Sequence, residues 1–312
     1  MMPKIAIVGA GDVGTTIAYT LQISALATQI VLIDINQKLA HGHVMDMNHG
    51  LFFVPPVHLS AGNYSDCKDA DIVIFTAGAR QKTGESRIAL VERNAIICRS
   101  IVDEIKPHNS SAVFLMVTNP VEIMSQVVIK HSSLPRFQVF GSGTVLDSAR
   151  FRYLVSQHCH VDARNVHAYV IGEHGDSEVI LWSKVRIAGT PLTEFTKESA
   201  YACDPIDKEK VTQDIKGSAY HIIEAKGATN YGVALAVRRI VEAVIRDEDS
   251  VLTVSTLLNG EYGLDDVCLS LPCIINRKGI RNIVETTLDQ DEREALKKSA
   301  EILQKTYMSI RQ

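Results

Sequence analysis

Asp147 and Arg150 stand three residues apart in a segment of helical pattern, which sets an acid and a base on one helix face. Downstream, an apolar run over residues 166–171 leads into Gly172-Glu173-His174-Gly175-Asp176, a histidine between glycines where backbone can approach a ligand closely. A carboxylate bonded to one imidazole nitrogen fixes the tautomer and stabilises the imidazolium, so Asp147 with His174 would form a proton relay tuned near neutral pH. Arg150 could hold a substrate carboxylate bidentately. From spacing alone, a surface ion pair and an ordinary loop histidine account for the same residues.

A second motif lies near the start of the chain. Gly9-Ala10-Gly11-Asp12-Val13-Gly14 follows one apolar run and opens a helical pattern. In that position the first glycine makes a tight turn, the second lets backbone approach a pyrophosphate, and the third lets helix and strand pack closely. The helix N-terminus adds N–H groups aimed at the anion. Twenty residues beyond Gly14 stands Asp34, whose carboxylate can accept from both ribose hydroxyls of an adenosine and would repel a 2′-phosphate. The cofactor expected is NAD rather than NADP.

These groups must be positioned by a larger scaffold, and the chain supplies its rhythm. Apolar runs over 5–8, 30–33, 57–59, 72–75, 113–117 and 139–140 alternate with helical patterns, the signature of βαβ units and a doubly wound parallel sheet. Val13, Ile17 and Leu21 recur every four residues, marking the first crossover helix. After that the pattern changes: residues 166–171, 185–187, 251–257 and 268–275 read as strands of a separate α+β unit. Residues 207–246 read as helix with a break near Gly227, and Leu296, Ala300, Leu303 and Tyr307 form the apolar stripe of a C-terminal helix.

Composition narrows the function classes. With 312 residues, about two domains are expected. Thirty-two Lys and Arg against 36 Asp and Glu leave −4, too mixed in sign to steer the molecule onto nucleic acid or an anionic membrane. No apolar run reaches a membrane span and no export signal is visible, so a soluble protein is expected. The six cysteines never form CxxC, which favours reduced core thiols and a cytoplasmic location over disulfides or a metal site.

Taken in order over nearly the whole chain, GAGDVG, TAGARQKTGESR, TNPVE, GSGTVLDSARFR, NVHAYVIGEHGDSE and KGATNYG resemble the L-lactate branch of the lactate/malate dehydrogenase family. The resemblance implies an α/β protein with a Rossmann NAD-binding domain over 1–142 and a C-terminal α+β substrate domain over 143–312. It implies hydride exchange between NAD and a small 2-hydroxy acid, with His174 giving or taking the proton, Asp147 orienting it, and Arg87 polarising the carbonyl. Arg150 would clamp the substrate carboxylate, and Asn119 would bond the reacting oxygen. The polar segment from Gly78 to Arg87 would act as a lid that delivers Arg87 and excludes water. Cofactor contacts would come from Gly9, Gly11, Val13, Gly14, Asp34, Tyr64, Gly78, Ala79, Ser100, Val117, Asn119 and Ser142.

Within the family, malate dehydrogenases place arginine where this chain has Gln81, so a second substrate carboxylate would here be buried unpaired. Gln81 and Thr229 therefore point to pyruvate and L-lactate. Branched 2-keto acids or malate are the alternative substrates, and a non-catalytic NAD-binding scaffold is the alternative from another class. Arg152 points about 200° away from Arg150 on a helix. His167 begins the run that leads to His174, and seven extended residues put it about 20 Å from the chemistry. By resemblance these two residues would bind fructose 1,6-bisphosphate, an activator acting across a subunit interface in a homo-oligomer that passes from dimer to tetramer. Glu122 departs from the aspartate common after Asn-Pro-Val.

Overall fold

In the computed structural model, which describes residues 3–79, 86–198 and 205–310, the alternating first half forms the expected parallel sheet. Its elements are β1 (Lys4–Val8), α1 (Asp12–Ile23), β2 (Gln29–Ile33), α2 (Gln37–His49), β3 (His58–Gly62), β4 (Ile72–Phe75), α3 (Arg87–Ile105), β5 (Val113–Met116), α4 (Val121–Ser132) and β6 (Val139–Gly141). The six strands run in the order β6-β5-β4-β1-β2-β3, every pair parallel. The strand order reverses between β1 and β4, the switch point beyond whose carboxyl strand ends doubly wound sheets bind their ligands.

Helices cover both faces, which is why β4 and β5, and β1 and β2 after their first residues, are apolar at consecutive rather than alternate positions. In β1, Ile5 and Ile7 point into the core shared with Ile17 and Leu21 of α1, while Ala6 and Val8 point into the core shared with Val91 and Ala95 of α3. Each large aliphatic side chain buried in this way contributes about 1.5–3 kcal/mol.

The second half comprises α5 (Val145–Cys159), β7 (Val166–His167), β8 (Val170–Ile171), β9 (Val179–Ile180), β10 (Arg186–Ile187), β11 (Thr190–Pro191), α6 (Leu192–Glu198), α7 (Lys208–Lys226), α8 (Tyr231–Ile245), β12 (Ser250–Asn259), β13 (Asp265–Asn276), β14 (Gly279–Ile283) and α9 (Gln290–Ser309). α7 ends at Gly227, whose φ of +85° suits a residue without Cβ, so the expected break is real. α9 buries Leu296, Ala300, Leu303 and Tyr307 as its stripe requires.

Two expectations need correction. Residues 166–171 are not one strand: β7 pairs with β10, β8 pairs with β9 in a different sheet, and Ala168 and Tyr169 separate them. The 20 Å estimate, which assumed a continuous strand, therefore has no basis. Nor do the antiparallel strands stand apart from the first half. β12 pairs with β6 through Ser255 and Gly141, and β13 and β14 follow, so one nine-stranded sheet runs through both halves. Among the described residues, no helix is long and apolar enough to cross a membrane.

Candidate active site

The glycines of the first βα turn divide by what surrounds them. A Cβ on Gly14 would lie 1.9 Å from the Gly9 carbonyl oxygen, and one on Gly9, whose φ is +112°, would lie 2.6 Å from the Ala77 nitrogen. A Cβ on Gly11 would meet nothing within 4 Å. Gly9 and Gly14 thus serve packing, whereas Gly11 leaves open space at the start of α1. That helix has Gly11 as its N-cap and no side-chain cap, so its first amides remain available to an anion.

Asp34 follows β2 on the same edge. Its Oδ2 accepts from the Ala10 amide at 2.7 Å and its Oδ1 from the Asn36 amide at 2.8 Å, which fixes the carboxylate beside the glycine turn. A carboxylate has about four acceptor positions, so capacity for ribose hydroxyls remains. Gly78 and Ala79 follow β4, Val117 follows β5 and Ser142 follows β6, all at the carboxyl edge. Tyr64 sits in the turn after β3, and α3 packs against that turn. Ser100 is exposed on α3, about 20 Å along the helix axis from Arg87. An open cradle for pyrophosphate, a carboxylate at the ribose position and a row of strand ends fit a dinucleotide.

The catalytic candidates converge on a cavity of about 430 Å³ lined by Arg87, Asn119, Asp147, Arg150 and His174. Asp147 is buried in the first turn of α5, where a carboxylate is favoured by the helix dipole. Its Oδ2 lies 2.6 Å from His174 Nδ1, and its Oδ1 accepts from Arg150 Nη1 at 2.6 Å. The i,i+3 relation read from the sequence is therefore an ion pair, and both of its members also face His174. His174 keeps 24% of its side chain exposed, with Nδ1 turned to Asp147.

Charge sets the proton. Burial alone would lower the pKa of His174, but the Asp147 charge and hydrogen bond, with Glu122 adding to them, outweigh it and raise the imidazole to about 9. This corrects the expected near-neutral tuning. Burial pushes the Asp147 carboxyl up, and His174 and Arg150 more than offset it, so the group stays ionised below the usual carboxylate range.

Asn119 is brought to the cavity by the turn between β5 and α4. Asn94, buried on α3, accepts from the Ala79 amide at 2.8 Å and donates to the Asn119 carbonyl at 3.1 Å, locking that turn to the end of β4. Arg87 opens α3 directly after its N-cap Ser86 and is exposed at the cavity mouth. Gln81 lies outside the described residues, as does most of the expected lid. Thr229 lies in the connection between α7 and α8 and is not among the residues lining this cavity.

Several neighbours escaped the sequence reading. α7 contributes Lys216, which donates to the Asp176 carbonyl at 2.8 Å, and Tyr220, which donates to the Asp176 carboxylate at 3.0 Å. Glu178 also lines the cavity, and burial followed by the Asp147 charge pushes its carboxyl upward. Glu122, visible in the sequence only as a departure from aspartate, is fully buried. Glu178 stands four residues from His174 and could have been flagged by that nearness, whereas Asn94, one polar residue among many on the amphipathic α3, gives no such signal.

Arg152 and His167 face elsewhere. Arg152 donates from Nε to the Ala168 carbonyl at 3.0 Å and lies over the Tyr169 ring at 5.2 Å. Arg152 lines one cavity and the exposed His167 lines a second with Lys184 and Arg186; the two share Tyr169 and Val251.

Residues 3–141 match the profile described as lactate/malate dehydrogenase, NAD binding domain, and residues 144–311 match the alpha/beta C-terminal domain of the same family. The chain belongs to the lactate/malate dehydrogenase family. The family's cofactor domain thus coincides with the half that carries the glycine turn and Asp34, and the cofactor is NAD. Among curated relatives, an L-lactate dehydrogenase of Acetivibrio thermocellus is 53% identical, over 99% of this chain and 98% of the relative. One of a Thermoanaerobacter species is 52% identical over 99% of each. Among solved structures, a lactate dehydrogenase from a Medee basin deep-sea metagenome library superposes with a TM-score of 0.96 at 40% identity, covering 99% of both chains. A minor L-lactate dehydrogenase of Enterococcus mundtii gives 0.96 at 38%, again over 99% of both.

Proposed function

We propose that this protein is an L-lactate dehydrogenase, interconverting pyruvate and L-lactate with NAD. The observation that carries the reading is the Asp147–His174 pair at 2.6 Å in one cavity with Arg150, Asn119 and Arg87. Bound NAD supplies the hydride donor or acceptor. His174 holds a proton on the nitrogen turned to the cavity and passes it to the carbonyl oxygen of pyruvate, or takes it from the hydroxyl of lactate. Asp147 fixes the imidazole and keeps its protonated form favoured. Arg150 binds the substrate carboxylate with the guanidinium donors not used by Asp147, while Asn119 and Arg87 donate to the reacting oxygen as negative charge grows there.

Gln81 and Thr229 are proposed to set the preference for a methyl side chain over a second carboxylate. The cofactor half would extend to 142 and the substrate half from 143. Burial of the Cys67, Cys98, Cys268 and Cys273 thiols agrees with a reducing compartment, the cytoplasm, where the reaction would regenerate NAD for glycolysis. Arg152 and His167 are proposed to receive fructose 1,6-bisphosphate in a homo-oligomer, supported by their position on cavities separate from His174. A tenfold gain in apparent affinity for pyruvate would need about 1.4 kcal/mol of coupling.

The test is NADH oxidation followed by absorbance with pyruvate, oxaloacetate and 2-ketoisocaproate, each with and without fructose 1,6-bisphosphate, alongside sedimentation. Pyruvate is expected to turn over far faster than the others, more so with the effector, as dimer passes to tetramer. Preference for oxaloacetate would refute the role given to Gln81, and kinetics and sedimentation both indifferent to the effector would refute the regulatory reading.

A further inference from the structure

Behind the catalytic histidine lies a buried acid that the proposed reaction does not use. Glu122 sits in the first turn of α4, three residues after Asn119, and is fully buried. Its Oε1 lies 2.6 Å from Ser255 Oγ and 3.0 Å from Ser270 Oγ, and the two serine oxygens lie 2.9 Å from each other. Its Oε2 is buried with no hydrogen-bond partner.

Protons can be counted around this triangle. It has three oxygen–oxygen contacts, each needing one hydrogen, and the two serines bring only two. With an ionised Glu122 one contact would be two lone pairs facing each other, and Oε2 would be a bare carboxylate oxygen in a dry interior, a costly arrangement. A proton on Glu122 supplies the third hydrogen. The acid then donates to Ser255 across the shortest contact, Ser255 donates to Ser270, and Ser270 donates back to Oε1. The remaining oxygen becomes a neutral carbonyl.

The ring also joins parts of the site. Ser270 exchanges both backbone hydrogen bonds with Gly172 at 2.9 Å, two residues before His174. Ser255 is the residue of β12 that pairs with Gly141, next to Ser142. We propose that Glu122 is held as a neutral carboxylic acid whose ring with Ser255 and Ser270 ties the Asn119 turn to the loop carrying His174, making it a positioning residue rather than a second counterion.

The titratable groups facing Glu122 are His174 from the catalytic loop and the Cys268 thiol from β13. Burial pushes the carboxyl upward; His174, the serine contacts and the residue's own backbone amide oppose it without reversing it. The influence of Glu122 on the imidazole noted above belongs to its ionised form, so in the neutral ring Asp147 alone holds the charge on His174. The inference rests on His174 as the proton-transfer group only for its kinetic arm.

The experiment pairs infrared spectroscopy of the whole protein at neutral pH, without substrate, with the pH profile of pyruvate reduction. A carbonyl stretch of a protonated carboxylic acid is expected in the wild type and lost in Glu122→Gln, read as the wild-type minus E122Q difference with Glu178→Gln recorded alongside, because burial also pushes the Glu178 carboxyl up to about 8. Gln keeps a donor and an acceptor in the ring, so E122Q should retain kcat within about threefold and leave the alkaline limb of the profile in place. Glu122→Leu breaks the ring and should lower kcat roughly tenfold or more through the misplaced loop, again without moving that limb. If E122L does not fold, Ser270→Ala opens the ring more gently and should shift the infrared band and lower kcat. No protonated-acid band lost between wild type and E122Q, or an alkaline limb moved to lower pH in E122Q, would overturn the neutral assignment. Wild-type kcat in E122L, or in S270A where E122L fails to fold, would overturn the positioning role. The infrared arm is independent of turnover, so an error about His174, exposed by H174N, stays distinguishable from an error about Glu122.

Discussion

The two halves of the molecule solve their tasks with opposite materials. The cofactor half works with backbone: open amides at the start of α1, glycines chosen for missing atoms, and strand ends aligned on one edge. The catalytic half works with buried ionisable groups, Asp147, Arg150 and Glu178 within reach of one imidazole. In the first, a single added carbon decides between binding and collapse; in the second, a single removed charge resets a proton. Shape and electrostatics thus dominate different halves and meet at the cavity where Arg87 and Asn119 of the first half join His174 of the second.

The contrast breaks most visibly at His174. Replacement by Asn should lower kcat by about 10³-fold while NADH binding, measured by fluorescence, stays near wild type. Loss of both would mean that the halves are not separable.

Removing the charge that sets the proton should come next. His174 protonated is the form that reduces pyruvate, and its pKa is raised to about 9, so reduction should hold below that pH and fall as pH rises through it. Lactate oxidation needs the neutral imidazole and should rise over the same range. Asp147→Asn should cost about 10²-fold in kcat and move both limbs down toward the ordinary histidine value of about 6.5. Limbs that stay in place in D147N would assign the titration to another group.

The smallest and sharpest comparison is between two glycines three residues apart. Gly11→Ala places its methyl in open space, so the melting temperature should be unchanged while NADH binds about tenfold more weakly, equivalent to about 1.4 kcal/mol. Gly14→Ala drives a methyl against the Gly9 carbonyl and should lower the melting temperature itself. Equal stability in the two variants would erase the distinction between cradle and packing.

The same segregation explains what could be read without coordinates. Backbone-built features leave local marks: the glycine spacing, Asp34 and the apolar runs of β1 to β6 all stand near their observed places. The register-dependent features leave none. Nothing in residues 250–276 announces that Ser255 will pair with Gly141, because an antiparallel partner for β6 is chosen by tertiary packing. Ala168 and Tyr169 read as strand by propensity, yet the chain switches sheets there. Asp147, Arg150 and His174 were legible as residue types, but their convergence, and the buried carboxyls Glu122 and Glu178 around them, required the fold. The pKa of His174 was misjudged for the same reason, since burial and pairing exist only once the loop meets α5.

The shared sheet has a consequence for how such a chain could be recombined. β12 lies along the edge of β6 that β5 leaves unpaired, so the first 141 residues made alone would end in a short apolar strand with that edge open. Such a fragment would recruit other copies at that seam and precipitate. The cofactor half, for all its self-contained motif, is therefore not a transplantable cassette; grafting it onto another protein would require a donor strand to close its border.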